Sequence, residues 1–277
     1  MTLATLKAMA RGGMVDHLTG GFHRYSVDGQ WRVPHFEKML YDQAQLVLAY
    51  TEAFQITHDA SFRQVVRETL DYVRSTLTLA GGGFASAEDA ESASDPSKPD
   101  EKEEGMFYLW SATEIDGVTG TEAGAMFRHA YGVEEAGNAL HDPMGIFLGR
   151  NILYRAHDAA ATAAAFNTTP EQVDSILSEA RTLLAAARAQ RPRPHLDDKV
   201  ITAWNGLMIS AFASAYRVFG EPGDRIAFFS EPDKGQFNEE VLKIQTTWER
   251  TLETQLEQSK DLVKAFTEFL SKQAEQK

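Results

Sequence analysis

The chain has 277 residues, no cysteine, 43% hydrophobic residues and a formal charge of −13. Disulfides, thiolate metal sites and thiol redox chemistry are therefore excluded within it, and the negative balance argues against a general nucleic-acid binder. No apolar run reaches the length of a membrane span, and the opening MTLATLKAMARGG lacks the apolar block of a signal peptide, so a cytoplasmic address with no membrane partner is expected.

Residues 20–46, GGFHRYSVDGQWRVPHFEKMLYDQAQL, concentrate two His, two Tyr, a Trp and several charged groups in one run. Within it, RYSV-DG-QWRV predicts a tight β-hairpin, because Asp28-Gly29 suits a type I′ turn. Pro34 then ends the extended segment. A helix is predicted over 35–56, with Phe36, Met39, Leu40, Leu46, Val47, Tyr50 and Phe54 on its apolar face and His35, Glu37 and Lys38 in its first turn. On that helix Glu37 would share a face with Tyr41, and Lys38 with Asp42. A second helix follows His58-Asp59, with Phe62, Val65, Val66, Leu70, Val73 and Leu77 facing inward.

Residues 88–104 carry eight acids against two lysines, which predicts a solvated loop. MFYLW, 106–110, reads as a short strand, and Ser111 with Glu114 opens another helix. Over 170–190 the helix signals agree. Thr169 caps, Pro170 suits the first turn, Gln172 completes a capping box, and Val173, Ile176, Leu177, Ala180, Leu184 and Ala187 form the stripe. In the helix expected over 199–219, Ile201, Trp204, Leu207, Met208, Phe212, Tyr216 and Phe219 spread around most of the surface, as in an inner layer. Residues 222–235 read as a Gly- and Pro-rich linker. Residues 236–277 read as one long amphipathic helix suited to self-association or a partner helix.

TGGFHRYS at 19–26 and GGGFASAE at 81–88 echo each other, each following a predicted helix, at the spacing of a helical-hairpin repeat.

Three clusters could carry chemistry. In the first, Arg24 and Tyr25 alternate in direction along a strand, and His23, His35, Lys38 and Asp42 accompany them. The second holds Glu88 and Asp89, adjacent carboxylates suited to acid–base work or to gripping sugar hydroxyls. The third, RPRPHLDDKVITAWNGL, offers His195, Asp197, Asp198, Lys199, Trp204 and Asn205. Either aspartate can cap the helix beginning near Lys199, and Asn205 is a buried amide in need of partners. His17, His23 and His35 lack the i, i+4 pairing of a helical zinc site. No Walker loop, dinucleotide fingerprint or Gly-x-Ser-x-Gly elbow is present, so no metal and no cofactor are expected.

The strings GGMVDHLTGGFHRYSVDGQWRVPHFEKMLYDQAQL, GGGFASAEDAES, GMFYLW and RPRPHLDDKVITAWNGLMISAFASAYRVFG closely resemble the spermatogenesis-associated protein 20 family. That family includes many bacterial proteins described as thioredoxin-domain-containing, and the resemblance covers roughly 1–221. It implies a mainly α fold, an incomplete (α/α)6 toroid similar to N-acylglucosamine 2-epimerases and six-hairpin glycosidases, here without the family's thioredoxin-like domain. By fold analogy it implies a carbohydrate-binding or epimerase-like pocket with a small sugar as ligand. His23, His35 or His195 would then act as acid or base, with Glu88, Asp89 and Asp197 binding or assisting. Arg24 and Lys199 would steady negative charge, Tyr25, Trp31 and Trp204 would stack on the ring, and Lys38, Asp42, Asp198 and Asn205 would complete the binding set. The alternatives are a scaffold module without chemistry, or a truncated product with no activity of its own.

Overall fold

The computed structural model describes residues 1–139, 142 and 147–220; the expected linker over 222–235 and the amphipathic tail over 236–277 lie outside the described residues. The described part is mainly helical. Helix α1 (Thr2–Arg11) leads into a loop-rich stretch that carries strands β1 (Tyr25–Ser26), β2 (Pro34–His35) and β3 (Lys38–Met39). Helix α2 (Leu40–Thr57) follows and packs against α3 (Ala60–Tyr72) on one side and against α8 (Thr202–Phe219) on another. The Asp59 carboxylate caps α3, accepting from the Ser61 N–H at 3.0 Å. The last turn of this helical stretch, Val73–Leu77, is wound as a π-helix.

Three sequence expectations change in the first of these segments. The hairpin forms, but β1 pairs with β2 in the register Ser26↔Pro34, so its loop is long rather than a two-residue Asp28-Gly29 turn. Asp28 organises that loop instead. Its carboxylate accepts backbone N–H groups from Gln30, Arg32 and Val33 at 2.7, 3.1 and 2.7 Å, and the residue at positive φ is Trp31. Helix α2 begins at Leu40 rather than near His35, because β3 continues the extended chain to Met39 and joins a sheet. Lys38 and Asp42 consequently do not form a helical i, i+4 pair.

That sheet has the order β3–β4–β7, where β4 is Ala87–Glu88 and β7 is Leu196–Asp197. Lys38 lies opposite Glu88, and Ala87 opposite Asp197. The Leu40 N–H donates to the Ser86 carbonyl at 2.9 Å and the Ser86 N–H to the Asp197 carbonyl at 2.9 Å, tying the starts of α2 and α8 to one strip of backbone. Because β7 takes up Asp197, neither aspartate caps α8, whose N-cap is Ile201.

The Gly-Gly-Phe echo is a structural repeat. Gly20, Gly21, Gly82 and Gly83 all adopt positive φ, which glycine reaches without a Cβ penalty. The next residues, Phe22 and Phe84, are buried and form isolated bridges to Val15 and Thr78. Each Phe backbone is clamped by the amide of the fourth residue of a neighbouring helix. The Phe22 N–H donates to Gln43 Oε1 at 2.8 Å and Gln43 Nε2 donates to the Phe22 carbonyl at 2.8 Å. Asn205 in α8 does the same to Phe84, at 2.8 and 3.0 Å. The buried amide at 205 thus finds its partners in backbone.

Part of the acidic run forms strands as well. Glu91–Ala93 (β5) and Lys102–Glu104 (β6) pair as a hairpin, leaving the residues between them exposed. MFYLW is not a strand. The Tyr108 and Leu109 N–H groups both donate to the Gly105 carbonyl, making a turn, and all five side chains are buried instead of alternating. Beyond it come α4 (Ala112–Thr119), α5 (Thr121–Ala130), α6 (Ala159–Phe166) and α7 (Pro170–Arg188). Ser111/Glu114 and Thr169/Gln172 form the expected capping boxes. Ile115, Phe127, Tyr131, Val173, Leu177 and Leu184 are the centre of the core these helices share. On α8, Met208, Ala211, Phe212 and Ala215 are buried while Tyr216 is exposed, so its burial is one-sided rather than all round.

Candidate functional site

Two polar clusters flank β3. The first lies beneath the sheet and is closed. Asp16 receives Arg188 through both oxygens, at 2.9 and 2.8 Å, and Lys38 Nζ at 3.0 Å. Lys38 also donates to the Gly20 carbonyl and lies over the Tyr72 ring, 4.3 Å from its centroid. Beside it, Glu88 accepts from the Tyr72 and Tyr108 hydroxyls at 3.0 and 3.3 Å and from Arg193 at 3.1 Å. Burial pushes the Asp16 carboxyl up, but Arg188 and Lys38 outweigh it and hold the group well below the usual range. Burial, with the Lys38 charge, lowers the His23 pKa to about 3. Its Nδ1–H therefore donates to the Phe36 carbonyl, 2.9 Å away. Space here is confined to a cavity of about 20 Å3 between His23, Asp16, Tyr108 and Arg188, the size of one water. His23, Lys38 and Glu88 thus belong to a buried network whose charged groups are paired with one another.

The second cluster is open and sits at the start of α2. Glu37 points opposite to Lys38, as neighbours on a strand must, and accepts from Arg24 at 2.8 Å. His35 approaches Glu37 at 3.5 Å through Nε2 and meets Glu104 at 2.7 Å through Nδ1. Tyr25 stacks on His35 with centroids 4.9 Å apart, and Tyr41 meets Trp204 edge-to-face at 4.8 Å. Asp42 stands among these groups with its Oδ2 buried and without a hydrogen-bond partner. Burial raises its pKa to about 6, with Glu37 adding to the shift and Arg24 opposing it. An orphaned carboxylate oxygen within the electrostatic reach of an arginine and a second carboxylate can exchange a proton near neutrality.

The other sequence candidates fall elsewhere. Trp31 is held at the end of α1, where its carbonyl accepts the Gly13 N–H at 2.7 Å. Exposed Lys199 pairs with Asp197 at 2.9 Å, and Asp198 is exposed beside them. His195 is exposed on a surface recess shared with Arg191 and Arg193, and its carbonyl accepts the Asp89 N–H. No group of three or more potential metal-ligating side chains occurs among the described residues.

Several central groups escaped the sequence reading. Arg188 continues the apolar stripe of α7 four residues beyond Leu184, and a charge on a buried stripe signals a buried partner. Asp16, Tyr72, Tyr108 and Glu104 carry no such local signal, since each acquires its role through contacts made far along the chain.

The geometry defines a mainly helical protein whose helix starts meet at a strand-lined polar rim. No protein-family model matches the chain. It is 45% identical over 232 residues to spermatogenesis-associated protein 20 of Homo sapiens, covering 80% of this chain and 29% of that protein. It is 44% identical over 231 residues to the same protein of Rattus norvegicus, covering 79% and 29%. An uncharacterised Caenorhabditis elegans protein is 36% identical over 232 residues, covering 80% and 31%. Over the matched residues the chain belongs to the spermatogenesis-associated protein 20 family, and it spans less than a third of the length of those relatives. Among solved structures, a D-mannose isomerase aligns with a TM-score of 0.28 and 12% identity over 80% of this chain and 47% of that one. A cellobiose 2-epimerase from Spirochaeta thermophila gives 0.27 and 14% over 79% and 49%. Scores this low do not by themselves define a common fold. No helix among the described residues is long and apolar enough to cross a membrane.

Proposed function

We propose that the rim at the start of α2 is one wall of a carbohydrate pocket that exchanges a proton next to a sugar carbonyl, as an isomerase or epimerase does. The observation that carries this reading is Asp42, a carboxyl with pKa about 6 and an unpartnered buried oxygen at an open edge. In the ionised form it would take the proton from the carbon beside the carbonyl and return it to the neighbouring carbon, which isomerises the sugar. Inversion at the same carbon would need a second group, such as His35, to deliver a proton to the opposite face. Arg24 would balance the developing enediolate charge, and Tyr41 and Trp204 would offer apolar ring faces to the sugar. His35, oriented by Glu104, supplies a second group for proton relay to the carbonyl oxygen. His23, Lys38 and Glu88 support this wall from below rather than touching substrate. The toroid expected from the family resemblance is consistent with a pocket at this end of the helices.

Thermal shifts against a panel of mono- and disaccharides test the proposal. Stabilisation by a subset of sugars, lost in Trp204→Ala and Asp42→Asn, is expected; no shift with any sugar would refute it. A second reading, a scaffold without chemistry, draws on the closed and fully paired state of the Asp16–Lys38–Arg188 network, and it predicts that null result.

A further inference from the structure

A groove of about 620 Å3 opens on another part of the molecule, between α1, α3 and α7, and none of the rim residues lines it. Its volume is that of a small-molecule site. The groove wall is unusually basic for a chain of charge −13. Lys7, Arg11, Arg155 and Arg181 line it against two acids, Glu68 and Asp174. Lys7 is paired with Asp59 at 2.7 Å and Arg181 with Glu68 at 2.8 Å. Arg11 and Arg155 have no carboxylate partner among the described residues, yet the backbone fixes them side by side. The Arg155 N–H donates to the Arg11 carbonyl at 2.7 Å, and Arg11 Nη2 donates to the Arg155 carbonyl at 3.4 Å. Arg155 and Arg181 both act electrostatically on His17 at the groove floor, and an oxyanion held at this wall would receive charge-assisted, forked hydrogen bonds from guanidinium groups.

Independent observations point the same way. Arg181 Nε is buried with no hydrogen-bond partner. One layer below, the Tyr131 hydroxyl is also buried and unpartnered, and the Tyr131 ring lies under the Arg155 guanidinium at 4.6 Å. His17 lines the floor as a neutral ring, since burial and then the Arg155 charge lower its pKa to about 4. A donor of the groove wall left without an acceptor, as Arg181 Nε is, is a recognition feature for a ligand that brings acceptors only. Ser61, Gln64 and Ser178 line the same groove and add hydrogen-bonding side chains for a hydroxylated body.

We infer that this groove binds a phosphate monoester of a small polyhydroxy compound, with Arg11, Arg155 and Arg181 holding the phosphate. The inference does not rest on the pocket proposed at the α2 rim. Glycerol phosphate, inorganic phosphate and chloride, compared at one ionic strength, separate the ester from the free anion and from bulk salt. Titration calorimetry and thermal shift on the full chain should show saturable binding of glycerol phosphate, with inorganic phosphate binding more weakly. Affinity should fall at least tenfold in Arg155→Gln. Exposed Arg11→Gln, which removes no buried contact, should weaken binding severalfold while leaving the unliganded melting temperature within a degree or two. If both phosphates shift stability no more than chloride does, or if both variants bind like the wild type, the inference is overturned.

Discussion

The two clusters on either side of β3 are anchored by adjacent residues, Lys38 below and Glu37 above, but have opposite characters. Beneath the strand, Asp16, Lys38 and Arg188 are buried and each charge is answered at 3.0 Å or less. Above it, Arg24, Glu37 and Asp42 are partly open, and Asp42 keeps an oxygen with no partner. A buried network with every group satisfied is a device for specifying structure, while a group left unsatisfied at an accessible edge is available to a ligand. Density of titratable residues therefore does not identify a site; unfinished hydrogen bonding does.

The largest test breaks the closed side. Asp16→Ala would leave Lys38 and Arg188 buried without a counter-charge, and truncating one partner of such a group costs about 3–5 kcal/mol. Urea unfolding should show a loss of that order, with the milder Asp16→Asn variant between it and wild type. Because the Asp16 carboxyl is held below its ordinary pKa, its contribution is present at neutral pH and is lost as pH falls through the depressed value. Asp16→Asn should accordingly narrow the stability gap between pH 7 and pH 3.

Next in size are the two amide clamps. Gln43→Leu and Asn205→Leu each strand a buried Phe N–H and carbonyl, at about 1–3 kcal/mol apiece. Equal losses would show that the Gly-Gly-Phe units are energetic as well as geometric repeats; a loss at Gln43 alone would confine the repeat to shape. Of these features the sequence announced the Gly-Gly-Phe hooks, the capped helices α4 and α7 and the existence of the hairpin, because each rests on chemistry within a few residues. It read a strand at 106–110, where bonds to the Gly105 carbonyl make a turn, and missed the β5–β6 hairpin within 88–104. It also misplaced the start of α2, which pairing of β3 across a long separation decided. Lys38↔Glu88 and His35–Glu104 are contacts of that kind. Asp42 and Arg24 were visible as candidates, but which of the neighbouring carboxylates would lack a partner was not, because that depends on where Lys38 points.

The open side should respond to pH in the reverse sense. With a folded pKa of about 6 against an ordinary value near 4, Asp42 binds its proton more tightly folded than unfolded. Its stabilising contribution is complete below the unfolded value and is lost as pH rises through 6. After discounting for partial exposure, the penalty at pH 8 is on the order of 1 kcal/mol. Asp42→Asn should thus raise stability at pH 8 by about that amount and change it little at pH 4, read from paired urea melts. Equal effects at both pH values would remove Asp42 from the list of groups able to exchange a proton near neutrality, and the proposed pocket with it.

The smallest stability effect should be the most informative about the rim. Arg24 pairs with Glu37 across a largely exposed gap, so Arg24→Gln should cost less than about 1 kcal/mol. Arg24 is also the charge that opposes the upward shift of Asp42, while burial and Glu37 drive it. Removing the guanidinium should move the Asp42 titration to higher pH, measurable from the side-chain carboxyl resonance in NMR. A midpoint that stays where it was would mean that solvent screens the two groups from each other. Arg24 could not then steady an enediolate formed beside Asp42, because a charge too well screened to shift a ground-state carboxylate has no greater hold on a transient anion at the same edge.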